Sequence, residues 1–277
     1  MTSPSPIHDL LAEYELEYNV PNEDSQRSGA ATGEFHTQLL SEFISWGDSG
    51  CTVLGTTGIV ELEYAAIQKN AGIFDAPCRG TIELTGDDRL DFVDRMTTQK
   101  LNDMKVDEVR LAFIISRKGT IVADVIVRNL SNRILMDLDL TAVQQVCDHF
   151  QSYIVLDDVV IENKTETTHW LWCLGPKATK ITSEEETAYP LPVEFLGVQG
   201  VAIATVPEQA SNTWKLIVEA GARPVGWYAL NIARVEQSAA MFMIDFDTAN
   251  LPHETSLIAS RVRFDKEIGR ASCRERV

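Results

Sequence analysis

Apolar and polar positions along this chain are helically spaced at first and fall into a more regular succession of short elements from about residue 80. Before it the spacing is helical. Phe35, Leu39, Leu40 and Phe43 predict a helix over residues 35–46, and Leu62, Ala65, Ala66 and Lys69 mark a second over residues 60–70, with Gly72 as its C-cap. A short amphipathic stretch over residues 7–18 comes first. It is followed by an Asn-, Asp-, Ser- and Gly-rich loop over residues 21–33, and a glycine-rich passage over residues 47–58 separates the two helices.

From residue 80 the chain becomes more regular. Strands are predicted over residues 81–85, 109–116, 121–129, 133–138 and 154–161, with helices over residues 86–96 and 142–153. Arg117-Lys118-Gly119 makes a basic hairpin turn between two of the strands. A similar order then recurs. A strand over residues 169–174 closes at Gly175-Pro176, and strands over residues 193–196, 201–206 and 214–219 precede a helical or mixed segment over residues 227–235. The fold class this predicts is α+β, with antiparallel sheets, packed helices and two related units at about residues 81–160 and 168–245. The organisation expected is an acidic leader at 1–33, a main domain at 34–266 and a tail at 267–277.

Charge changes this picture at the two ends. The net charge is −17, which argues against nucleic-acid and anionic-membrane partners. Residues 1–50 hold nine acids against one base, Arg27, so the leader reads as a solubilising acidic arm. From Gly269 onward the chain is abruptly basic, with Arg270, Arg274 and Arg276 against Glu275, and reads as translated adaptor or vector sequence. The N-terminus lacks a signal-peptide pattern, and no apolar stretch is long enough to span a bilayer. Five widely spaced cysteines without a CxxC fit reduced thiols and a cytoplasmic location.

Nucleotide loops, serine-hydrolase elbows and zinc motifs are all missing from the sequence, and the five histidines form no spaced cluster, so no metal site is expected. What remains is a carboxylate inside an apolar strand. Asp124 shares its face with Val122 and Ile126, opposite Ile121, Ala123, Val125 and Val127. Such a group is either a hydrogen-bonded structural carboxylate or one that faces a ligand. Arg234 and Glu236 form an i, i+2 pair before an apolar run, and Glu254 lies in the loop-like segment Leu251-Pro252-His253-Glu254. By composition alone these fit a structural ion pair and a surface loop.

Five short blocks carry a resemblance. Ala71-Gly72-Ile73-Phe74-Asp75, Gly119-Thr120-Ile121-Val122-Ala123-Asp124, Leu174-Gly175-Pro176-Lys177-Ala178, Arg234-Val235-Glu236 and Leu251-Pro252-His253-Glu254-Thr255 occur in the order seen in aminomethyltransferases. The chain thus resembles the glycine cleavage T-protein superfamily, and within it the YgfZ-type folate-binding proteins. The resemblance implies a folate-binding core around a central cleft, followed in the family by a small C-terminal β-barrel that this chain would lack. It implies tetrahydrofolate as the cofactor, with Asp124 beside its reactive nitrogens as the catalytic and binding carboxylate. Arg234 and Glu236 would shape the cleft and Glu254 would close it. A lipoyl carrier protein or iron–sulfur client proteins are the implied partners, the latter through a role in iron–sulfur cluster maintenance. Three departures stand out. Ala76-Pro77-Cys78-Arg79 replaces a family S-H-M, the strand expected at 214–219 puts Lys215 where the family has a pterin-binding acid, and Leu230 stands at a folate-contacting arginine. A YgfZ hallmark expected from Lys266 is interrupted by Glu267-Ile268-Gly269-Arg270.

Overall fold

The computed structural model describes residues 5–12 and 41–266, apart from positions 48, 184 and 186. Most of the acidic leader, the tail at 267–277 and Cys273 lie outside these residues.

The chain runs α1 (His8–Ala12), β1 (Glu42–Ser45), β2 (Thr52–Thr56), α2 (Val60–Lys69), β3 (Gly72–Asp75), β4 (Arg79–Thr85), α3 (Arg89–Met96), β5 (Val109–Ile115), β6 (Ile121–Asn129) and β7 (Ile134–Asp139). It continues through α4 (Val143–Gln151), β8 (Val160–Asn163), β9 (His169–Leu174), α5 (Ala178–Ile181), β10 (Ala188–Leu191), α6 (Val193–Leu196), β11 (Gly200–Thr205), α7 (Pro207–Glu219), β12 (Arg223–Pro224), α8 (Trp227–Glu236) and α9 (Ile258–Arg261). One five-stranded sheet has the order β5-β6-β7-β4-β8 and is antiparallel throughout. The other has the order β10-β11-β9-β3-β12, with only the short β12–β3 pair parallel. The first sheet is therefore built from one continuous stretch, residues 79–163. The second takes β3 from before that stretch and the rest from after it.

The alternating pattern of the first sheet gives it two distinct faces. Ile82, Leu84, Ala123, Val125, Val127, Ile134, Met136 and Leu138 pack on Phe92 and Val93 of α3 and on Val143, Val146 and Phe150 of α4. Those α4 positions recur at helical spacing, so one helix face covers one sheet face. Burying each of the larger side chains contributes on the order of 1.5–3 kcal/mol. The opposite face turns Leu111 and Ile126 toward Phe74, Trp170, Trp172 and Leu174 of the second sheet, with Phe195, Leu196 and Leu230 completing that interior. At the far end of the same face, Phe113 instead meets Phe246 of the C-terminal segment edge-on, with 6.0 Å between ring centroids. The β5–β6 hairpin turns at Gly119, whose φ of +85° suits a residue without a Cβ.

Several local expectations are corrected. Residues 42–45 form a strand rather than the end of a helix, because Phe43 and Ile44 pair with Leu54 and Val53 of β2 inside the passage read as loop. Gly72 belongs to β3, and Asn70 caps α2. Residues 193–196 are a helical turn, and β11 pairs with β10 and β9 instead. Residues 214–219 look like a strand only in a short window. Extended back to Pro207, the buried positions Ala210, Thr213, Trp214 and Ile217 fall on one helix face.

Candidate functional site

Asp124 sits on β6 across from Phe113 and is 3% exposed. A carboxylate in so apolar a strand needs a partner, because desolvating an unpaired charge costs several kcal/mol. Arg261, the last residue of α9, supplies it. Its Nε lies 3.2 Å from Oδ1 and its Nη2 lies 3.3 Å from Oδ2, a two-pronged pair with Arg261 wholly buried. Nη1 donates to the Glu194 carbonyl and the Ser260 hydroxyl. The backbone of α9 is anchored in turn, since the Thr98 hydroxyl donates to the Arg261 carbonyl at 2.6 Å and the Arg263 amide donates to the Thr98 carbonyl. The partner lies 137 residues away in sequence, and no local pattern identifies it.

The other three expected site residues each have their own local partner. Arg234 is buried on α8, donates to the Ala239 carbonyl and to Asp245 Oδ2, and stacks over Trp227 with 5.5 Å between guanidinium and ring. Glu236 is exposed and accepts the Tyr64 hydroxyl, a bond that raises the Tyr64 pKa. Glu254 is exposed in the turn Pro252–Glu254 and accepts the Leu251 amide and the Asn250 side chain, which hold its pKa below the usual value. Among the described residues, no hydrogen bond or ion pair joins any two of Asp124, Arg234, Glu236 and Glu254. Lys215 is exposed on the α7 helix rather than on the strand expected there, and Leu230 is fully buried on α8.

A second ionic cluster lies on the same sheet face as Asp124. Asp137 of β7, fully buried, receives Arg79 Nε at 2.6 Å on one oxygen and Arg128 Nη1 at 3.5 Å on the other. The two guanidinium groups lie against the aromatic wall of the second sheet. Arg79 is 5.8 Å from the Trp172 ring and 5.1 Å from Phe195, and Arg128 is 4.7 Å from Trp170. Burial works against both charges. For Arg79, Asp137 and Asp139 outweigh it and the pKa is raised, whereas Arg128 is pushed down. The signal that singles out Asp124, a charge inside an apolar strand, is equally present in Ile134-Leu135-Met136-Asp137-Leu138-Asp139.

Elsewhere, His169 Nε2 is 2.6 Å from Asp75 Oδ1, both groups buried, so this histidine is a paired one. An open cavity of about 290 Å³ lies between the β5–β6 hairpin and α4, lined in part by Arg117, Val122, His149 and Tyr153. No group of three or more His, Cys, Asp or Glu among the described residues is arranged to hold a metal. Among them, too, no helix is long and apolar enough to cross a membrane.

Residues 52–189, which include Asp75, Asp124 and Asp137, match the GCVT N-terminal domain. Over that stretch, just under half of its length, the chain resembles the T-protein superfamily. It is 27% identical over 249 residues to an aminomethyltransferase of Leptospira biflexa, covering 80% of this chain and 66% of that protein. It is 25% identical over 207 residues to an aminomethyltransferase of Thermus thermophilus, covering 67% of this chain and 59% of that one. The chain therefore spans about two thirds or less of the length of these two relatives. Its fold matches the crystal structure of the glycine cleavage system aminomethyltransferase T from Bartonella henselae, with a TM-score of 0.76 at 15% identity, over 96% of this chain and 70% of that one.

Proposed function

We propose that this chain binds a reduced folate as an aminomethyltransferase-type protein, with Asp124 as the carboxylate that orients the folate amine. The observation that carries this reading is a buried carboxylate within the matched GCVT segment, held in place by Arg261. An ionised carboxylate offers about four acceptor positions on its two oxygens, and the Arg261 contact uses one on each. An amine N–H can therefore be accepted without the buried pair being broken. In aminomethyl transfer, tetrahydrofolate supplies the nucleophilic nitrogen that takes up the one-carbon unit. Asp124 would hold that nitrogen in register and favour positive charge developing beside it, and the surrounding apolar strand residues would exclude water. A lipoyl carrier protein is the donor partner that this reading requires.

Calorimetric titration with 5-formyltetrahydrofolate tests the reading. Saturable binding is expected, weakened roughly 10- to 100-fold in Asp124→Asn, in line with losing a hydrogen bond to a charged group. Equal affinity in the two proteins would remove Asp124 from the site.

The Arg261 pair also favours a second reading, a YgfZ-type protein that binds folate without transferring an aminomethyl group. A guanidinium on both oxygens of Asp124 offsets the negative charge that a developing cation would otherwise meet. Folate binding with no methylenetetrahydrofolate formed from an aminomethylated lipoyl carrier would select this reading, and its role in iron–sulfur cluster maintenance would then be the next to test.

A further inference from the structure

We propose that the interior between the two sheets holds a small carboxylate, gripped by Arg79, Arg128 and the indole N–H of Trp172. Four buried nitrogens on these three side chains meet no protein acceptor: Arg79 Nη2, Arg128 Nε, Arg128 Nη2 and Trp172 Nε1, the two arginines sharing Asp137 and Arg79 lying 5.8 Å from the Trp172 ring. All four are donors. A buried donor left without a partner is strongly disfavoured, and native interiors rarely leave several together. Two guanidinium groups face one carboxylate, Asp137. The other nearby acid does not fill the deficit by hydrogen bonding. Asp139 pairs across the sheet with Arg79, but its Oδ1 accepts from the amide and hydroxyl of Thr141 and its Oδ2 accepts from Trp46 Nε1.

The missing partner must then be an acceptor with several lone pairs. A planar carboxylate matches the fork of a guanidinium, and two such forks beside an indole donor leave it no need for a metal. The aromatic rings of Trp170, Trp172 and Phe195 form apolar and cation-binding walls, which keep the two arginines extended toward each other around Asp137. The site is separate from Asp124, since Arg128 lies four residues further along the same face of β6. It stands whether or not the chain binds folate.

The test uses the full chain and sodium formate as the probe, against sodium chloride at equal ionic strength. Formate is expected to raise the melting midpoint saturably above the chloride control. Trp172→Phe, which removes one donor and keeps an aromatic ring, is expected to weaken formate roughly tenfold or more, in line with losing a hydrogen bond to a charged group. Arg128→Gln should weaken it at least as much. A high-resolution crystal structure in formate should show a planar group between Arg79 and Arg128. A shift no larger than that from chloride, an equal shift in Trp172→Phe, or ordered water alone between the arginines would each overturn the proposal.

Discussion

Two carboxylates are buried on one face of the same sheet, and they meet their cations in different ways. Asp124 has one arginine for its two oxygens, and every nitrogen of Arg261 finds an acceptor. Asp137 is shared by two arginines, one at 2.6 Å and one at 3.5 Å, and three of the guanidinium nitrogens meet no protein acceptor. The first arrangement closes on itself and ties the C-terminal segment to the sheet. The second is left with donors in excess. The lesson is that burial of a charge does not identify its role. The balance of donors and acceptors around it says whether the protein alone satisfies it.

The largest effect should come from breaking the closed pair. Arg261→Met strands Asp124 without a counter-ion and should cost about 3–5 kcal/mol in denaturant unfolding, whereas the double change Asp124→Leu with Arg261→Met should recover much of that loss. Arg128→Met should cost less, because Asp137 keeps its shorter contact to Arg79 and two partnerless donors leave with the side chain. If Arg128→Met proves more damaging than Arg261→Met, the contrast between the two clusters is lost.

An exposed ionic group gives a third point of comparison. Hydrogen bonds from Arg110 and Lys100 lower the Asp103 pKa from 3.8 to about 2. Its folded pKa lies below its unfolded one, so its contribution is present above about pH 4 and is lost as pH falls through about 2. Melting midpoints followed across that window should fall less steeply in Asp103→Asn. The smallest effect expected is at the thiols. Burial, the leading cause, pushes Cys51 and Cys173 up to about 12, so both should alkylate slowly at pH 8 in the folded protein and rapidly in denaturant.

Much of the sheet architecture was legible in the chain. Strands β6 and β9 fall where their apolar runs placed them, because a strand buried on both faces reads as a short continuous apolar run bounded by turn residues. The helix α7 was hidden, because Trp214, Leu216, Ile217 and Val218 have strand propensity and the helical face emerges only over all thirteen residues. That misreading also put Lys215 at a ligand-binding position, when it is exposed on a helix. Asp124 could be singled out as a buried charge, but not Arg261, since ion pairs between remote elements leave no periodic trace. Arg234, Glu236 and Glu254 were drawn from motif order alone, and each is held by neighbours of its own rather than by the others.

Lys215→Glu provides a control that separates the folate reading from the sequence comparison. It should leave affinity for 5-formyltetrahydrofolate unchanged, where a pterin contact at this position would alter it. The most direct measurement is a crystal structure of the chain bound to 5-formyltetrahydrofolate. The account predicts a folate nitrogen within hydrogen-bond distance of the Asp124 carboxylate while Arg261 remains paired with it. A folate seated elsewhere, with Asp124 touching only Arg261, would contradict it.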